Sequence, residues 1–333
     1  MEIKDKMKVL IIGAGNIAQG FDDIDSDLIK THIKGYRNFK EFFQVDTFFD
    51  INKEKCESAA LKWSVPNWVS DLSELKMNHY DVISICTPDD THGYYLEKAL
   101  QMHPKVIFLE KPIGLSYQEA DDFFRLCEQR GILLLVNYSR IYLPEFQLIK
   151  QRIKEGEFGK MLSISLKYHK GFYHNASHLL NLLIYLIDPN LEWACITGVI
   201  KDYTNEDPSY SACVNLSIDG KKVALIIEAF DASIVNILEL DIIGENGRII
   251  YAESKGACVN EYKKICYFDG MELKEYIHTC DYRIDYSQSM INAIRSIKDY
   301  CNKQKINLLS LKEIHLKTLY FMERISKAEF LLH

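Results

Sequence analysis

Short, nearly continuous apolar runs punctuate the first part of the chain: Val9 to Ile12, Val82 to Cys86, Val106 to Leu109 and Ile132 to Val136, with a more mixed run from Val45 to Phe49. Strands buried on both faces read this way, because helices cover a parallel sheet above and below. Between them lie stretches of helical character, Lys53 to Trp63, His92 to Met102 and Ser116 to Arg130. The last opens on Ser116 with Glu119 in capping-box position and stops at Gly131. This alternation predicts a doubly wound α/β domain, with a parallel sheet, over residues 1–138.

Beyond Pro144 the pattern changes. A helix from Glu145 to Glu155 leads into an apolar segment, Leu162 to Tyr168, and then a histidine-bearing helix. Ser211 to Ile218 and Lys222 to Phe230 flank Asp219-Gly220, a two-residue hairpin signal. Asn236 to Ile243 and Arg248 to Tyr251 flank Gly244-Glu245-Asn246-Gly247, a second reversal. Helices near Tyr286 to Asn302 and Leu311 to Lys327 follow. Residues 139–333 are therefore expected to form an α+β domain with a largely antiparallel, open sheet.

Length and composition narrow the classes. The chain has 333 residues, 47% hydrophobic and 26% charged, which suits two globular domains rather than a disordered chain. Its net charge of −7, without a basic block, argues against nucleic acid as a partner. No apolar run approaches the roughly 20 residues of a membrane span. Met1 to Lys6 leads directly into an apolar strand without a signal-peptide core, and the 9 cysteines are scattered with no C-x-x-C. A reducing cytoplasm is the expected location.

Parallel strands deliver their carboxyl ends to one edge of the sheet, where ligands of open α/β sheets bind. The first strand ends in Gly13-Ala14-Gly15-Asn16-Ile17-Ala18, a G-x-G-x-x-A turn suited to a pyrophosphate at a helix start. The second ends in Asp50, placed for the hydroxyls of an adenosine ribose. A carboxylate there favours NAD over NADP, while Lys53 nearby is available to a phosphate. The separation between turn and acid exceeds the usual ~20 residues, and Asp22 to Asp27 reads as an insertion accounting for the excess. The third strand delivers Thr87-Pro88-Asp89-Asp90-Thr91-His92, the fourth Glu110-Lys111-Pro112. In the second domain, His174, His178, Asn181 and Tyr185 share one helical stripe and Leu179, Leu182, Leu183 and Leu186 another. The leucines bury the helix and the polar stripe points toward a substrate. Paired histidines also suit a metal, with His169, His174 and His178 as candidates, but no carboxylate or cysteine stands at ligand spacing, and no metal is expected.

These residues together resemble the glucose–fructose oxidoreductase/inositol dehydrogenase (Gfo/Idh/MocA) family over nearly the whole chain. The resemblance implies a Rossmann domain followed by a substrate domain, and a hydride exchanged between NAD(P) and a carbon of a sugar, cyclitol or nucleotide-linked sugar. It assigns Gly13, Gly15, Asn16, Ile17, Asp50, Thr87, Pro88, His92, Glu110 and Lys111 to the cofactor. Lys111 would stand beside the reacting carbon, followed by an often cis bond to Pro112. His178 matches the histidine of the family's D-x-x-x-H, which is proposed to exchange a proton with the substrate hydroxyl. His174 stands where that motif has its aspartate, and Asn181 where a second acid is common, so a weaker base at His178 is expected, with Lys111 as another proton route. Arg140, Lys170, Asn175 and Asn181 are the substrate-binding candidates, with Lys167 flanking them. A homodimer or homotetramer is expected. A non-catalytic NAD or sugar sensor and an NAD-dependent glycosidase are the competing functions.

Overall fold

The apolar runs of the first part become strands of one sheet. The computed structural model describes residues 6–114, 116–253, 257–268, 272–304 and 309–331. In chain order come β1 (Met7–Ile12), a π-helical turn (Asn16–Gly20), α1 (His32–Arg37), β2 (Phe43–Phe49), α2 (Lys53–Trp63) and β3 (Asn67–Val69). They are followed by β4 (Val82–Ile85), α3 (His92–Gln101), β5 (Val106–Glu110), α4 (Tyr117–Gln129) and β6 (Leu133–Asn137). The strand order is β3-β2-β1-β4-β5-β6, with every neighbouring pair parallel. The winding direction reverses at β1, which creates the switch point where clefts form in such sheets. Leu10, Ile11, Ile83, Ile107 and Phe108 are fully buried, and each such side chain contributes about 1.5–3 kcal/mol. Helix starts follow the sequence: Asn52 Oδ1 accepts from Lys55 N–H (3.0 Å) ahead of α2, and Ser116 Oγ from Glu119 N–H (3.1 Å) ahead of α4.

One local expectation is corrected. The glycine motif runs into the short π turn rather than a regular helix, and α1 starts only at His32. The intervening acidic segment is a loop held by buried Asp22, whose Oδ2 accepts from Lys30 N–H, Thr31 N–H and the Thr31 hydroxyl at 2.7–2.8 Å. A carboxylate so engaged ties the insertion down at its far end.

The second unit begins with α5 (Pro144–Lys154), β7 (Met161–His169), a π turn (Phe172–Ala176) and α6 (Ser177–Ile187). Seven strands follow: β8 (Asn190–Ile200), β9 (Ser209–Ile218), β10 (Lys221–Phe230), β11 (Glu239–Gly244), β12 (Gly247–Ala252), β13 (Cys258–Phe268) and β14 (Glu272–Arg283). They form an eight-stranded sheet ordered β14-β13-β12-β11-β7-β10-β9-β8, antiparallel except where β7 meets β10. Positive φ at Asp219 (49°) and Gly220 (74°) makes the β9–β10 turn the hairpin expected from that pair. Burial alternates along the strands: Ile164, Leu166 and Tyr168 of β7 and Leu225 and Ile227 of β10 are buried, while Ala224 and Ile226 are exposed on the other face.

Two helices remain, α7 (Ser287–Cys301) and α8 (Leu309–Ser326). Contacts divide the chain into Met1–Tyr142 with Tyr286–Leu316, and Leu143–Asp285 with Lys317–His333. This differs from the sequence division into 1–138 and 139–333 chiefly in returning α7 to the first unit. Buried Met290, Ala293, Ile294 and Ile297 give α7 an apolar face, and it meets α1 at Gly35, where an added Cβ would lie 2.8 Å from Met290 Cγ.

Candidate functional site

The strand ends of the first unit surround a cleft of about 450 Å³ lined by Gly13, Gly15, Asp50, Lys55, Thr87 and Pro88, among others. Gly13 N–H donates to Phe49 O (2.7 Å), and at its φ of +91° an added Cβ would lie 2.7 Å from Cys86 O. Only glycine fits where β1, β2 and β4 converge. Gly15 differs: an added Cβ would meet nothing in the chain closer than Lys55 Nζ at 3.8 Å. Packing does not require that glycine, and the space it leaves belongs to the cleft. Asp50 is buried and holds the turn, Oδ2 accepting from Ala14 N–H (2.8 Å) and Oδ1 from Asn52 N–H (2.9 Å). Asn16 is exposed and Ile17 half-buried within the π turn.

Lys55 was not among the residues expected here. Its Nζ lies 3.5 Å from Asp50 Oδ2, and its side chain is 49% exposed. Lys53, the expected phosphate group, instead directs its ammonium over the Trp68 ring at 5.8 Å.

Two predicted cofactor residues serve as scaffold. Glu110 is buried at the end of β5, its Oε1 2.7 Å from both His32 Nε2 and Asn137 Nδ2. His32 is fully buried, with Nδ1 3.2 Å from Ser84 Oγ, which Tyr36 OH also meets at 2.8 Å. His92 is likewise buried; its ring lies 2.7 Å from Pro112 O and 2.9 Å from Thr87 O, joining the third and fourth strand-end loops. Lys111, half-buried, sits between these two braces, and its bond to Pro112 is cis. Burial pushes the neighbouring Cys86 thiol well above its usual range, so it stays protonated and unreactive.

In the second unit, Gly171 (φ +83°) admits the start of the histidine segment, and loop residues 201–208 fold against it. Asp207 Oδ1 accepts from Tyr173 N–H and Oδ2 from His174 N–H, both at 2.8 Å. Burial raises the Asp207 carboxyl above its ordinary range despite these donors. The His174 ring stacks on Tyr203 at 4.6 Å. His178 and Asn175 are half-buried. The expected polar stripe breaks at Asn181, which is buried with Nδ2 donating to Thr318 Oγ1 at 3.0 Å. His174 lies in the π turn ahead of α6, so it also falls out of phase with the residues of that helix. Tyr185 lies under Lys150 Nζ (3.9 Å), and burial pushes its hydroxyl up to about 12.

The other substrate candidates are dispersed. Arg140 is buried in the first unit over the Tyr286 ring at 5.8 Å. Lys170 gives its main-chain N–H to Asp202, with Nζ 5.6 Å from the Tyr203 ring centre. Lys167 Nζ is 3.7 Å from Glu239, and His169 Nδ1 is bonded to the main chain of Ile237. Among the described residues no group of three or more His, Cys, Asp or Glu side chains is positioned to hold a metal.

A doubly wound parallel sheet with a glycine turn and a strand-end acid over one cleft defines a dinucleotide-binding Rossmann unit. Residues 7–138 match the model of the Gfo/Idh/MocA oxidoreductases, described as an oxidoreductase family with an NAD-binding Rossmann fold. The scyllo-inositol 2-dehydrogenase (NAD(+)) of Bacillus subtilis is 33% identical over 124 residues, 37% of this chain and 34% of that enzyme. The chain thus aligns with about a third of the length of this curated relative. Two solved structures share the fold throughout. Levoglucosan dehydrogenase in complex with NADH and levoglucosan has a TM-score of 0.75 at 15% identity, with 97% of each chain covered. A 3-ketoreductase from Actinomadura kijaniata in complex with NADP has a TM-score of 0.73 at 13% identity, with 98% of each covered.

Proposed function

We propose that this protein is an NAD(P)-dependent oxidoreductase acting on a secondary alcohol, or the corresponding ketone, of a sugar, cyclitol or nucleotide-linked sugar. The observation that carries the reading is the open floor at Gly15, beside a carboxylate at one strand end and a braced lysine at another. Main-chain groups from Gly13 to Ile17 would hold the pyrophosphate. Asp50, Thr87 and Pro88 would flank the nucleoside, with Asp50 the support for NAD. When bound, the nicotinamide supplies or takes up the hydride.

The chain's own part is charge and proton control. Lys111 presents an ammonium that stabilises the oxygen as its negative charge develops, the kind of preorganised electrostatic aid that dominates many such steps. His178 exchanges the proton of the substrate hydroxyl, and His174, held by Asp207 and Tyr203, supports the segment that carries it. Arg140 and Asn181 are buried in their own units, which leaves Lys170 and Asn175 as the better-supported substrate contacts.

The free thiols of the described cysteines support a reducing cytoplasm. Among the described residues no helix is long and apolar enough to cross a membrane. The uncovered sheet face of the second unit supports a homodimer or homotetramer, which light scattering on the purified protein would measure; a monomer at micromolar concentration refutes it. The activity is tested by incubating the protein with NAD or NADP and a panel of sugars, cyclitols and nucleotide sugars while following nicotinamide absorbance. Lys111→Ala and His178→Ala should each lower turnover by about 10²-fold or more. Unchanged turnover in either variant would remove that residue from the mechanism.

A further inference from the structure

The rim of the cleft beside Asp50 carries a second charge. Among the described lining residues, Lys55 is the one cation. Its ammonium extends from the first turn of α2 toward the glycine loop, 3.5 Å from Asp50 Oδ2 and 3.8 Å from the vacant Cβ position of Gly15. Asp50 meanwhile has each oxygen engaged by a main-chain N–H, from Ala14 and from Asn52. A carboxylate bonded in this way and paired with a lysine is a poor repeller of a further anion. Ile51 and Asn52, also on the rim, lead into α2, whose amide dipoles add a positive end to the same place.

We infer that Lys55 is a specificity-determining residue, opening this pocket to a dinucleotide with a phosphate on its adenosine ribose as well as to one without. The inference rests on the cleft being a dinucleotide site. Asp50 retains its hold on the loop in both cases. Lys55 swings from Asp50 to the added phosphate when one is present, a short move for a half-exposed four-carbon side chain. Lys53 does not substitute for it, because its ammonium lies over the Trp68 ring.

Equilibrium titration of the purified protein with NADH and with NADPH, read by nicotinamide fluorescence or calorimetry, tests this without any turnover. Wild type should bind both, with dissociation constants within about tenfold of each other, a difference of at most 1.4 kcal/mol. Lys55→Ala should weaken NADPH about tenfold or more while changing NADH by less than about twofold. Lys55→Arg should preserve NADPH binding, and Lys55→Glu should abolish it while sparing NADH. Equal weakening of both ligands would assign the ammonium to the shared pyrophosphate and overturn the inference. Unchanged NADPH binding in Lys55→Ala would do the same, as would strong wild-type rejection of NADPH. Failure of wild type to bind either ligand would instead overturn the dinucleotide reading on which it rests.

Discussion

Replacing His32 with leucine isolates the brace behind Lys111. The substitution keeps an apolar side chain of similar bulk at a fully buried position and removes both ring nitrogens. Ser84 keeps Tyr36 as a partner, so little is lost there. Glu110 is left with Asn137 alone, its side chain only 12% exposed. Leaving a buried carboxylate short of one hydrogen-bond partner costs at least about 3 kcal/mol. The retained Asn137 bond and the better burial of leucine reduce this to about 2–3 kcal/mol. At about 2–4 °C per kcal/mol for a unit of this size, the melting temperature should fall by roughly 5–10 °C. Urea unfolding followed by circular dichroism should show the same loss as a lower midpoint at constant m. Adding Glu110→Gln to His32→Leu should recover about 1–2 kcal/mol, because a neutral amide tolerates the loss of its partner better than a carboxylate. A single-variant cost below about 1 kcal/mol, or no recovery in the double variant, would refute the reasoning.

Gly13→Ala would force a Cβ to within 2.7 Å of Cys86 O at a φ of +91°, so it should cost at least about 2 kcal/mol in thermal stability and abolish dinucleotide binding; a soluble, fully binding variant would show that the turn can widen. Burial lowers fully buried His315 to about 3, while the unfolded chain titrates near 6.5. The folded state therefore resists a proton that the unfolded state accepts. Stability from this residue is complete above about pH 6.5 and declines toward pH 3, by up to about 1.4 kcal/mol per pH unit. The His315→Gln variant should have a shallower acid limb in a stability–pH series, and an unchanged slope would exonerate this histidine.

Much of the first unit was legible because its physics is local and repetitive. Runs such as Val106–Leu109 are apolar on both faces, and Ser116 announces the start of α4. Strand β3 has only three residues, too few for any periodicity. Strand β8 interrupts its apolar positions with exposed Glu192, Trp193 and Thr197, and β13 carries charged residues through its centre, so neither stands out from its surroundings. At the site, motif spacing named the correct strand ends but not the direction of each side chain. Gly15, Asp50 and Thr87 line the cleft, whereas Glu110 and His92 turn inward. Their partners lie far away in sequence: His32 precedes Glu110 by 78 positions, and Asp207 follows His174 by 33. Long-range polar pairing leaves no periodic trace. Lys55 did leave one, in the Asn52 cap that sets its place in the first turn of α2.

Apolar replacements of similar volume often match or exceed the stability of a buried ionic cluster. Stability alone is therefore a weak reason for His32, Ser84, Glu110 and Asn137 to occupy the interior behind the strand ends. What an apolar cluster lacks is direction: hydrogen bonds at 2.7–3.2 Å fix α1, β4, β5 and β6 to one another at chosen atoms, where dispersion contacts permit sliding. His92 adds the same kind of constraint between the Thr87 and Pro112 loops. Lys111 is the residue flanked by both sets of bonds. A lysine stem has several rotatable bonds and carries about 2 kcal/mol of rotamer entropy, so its ammonium can be aimed only if its backbone does not move. On this account the polar interior supplies placement, and the cleft residues Asp50 and half-exposed Lys55 supply recognition, which separates the groups that position the lysine proposed to act on substrate from those proposed to select the ligand.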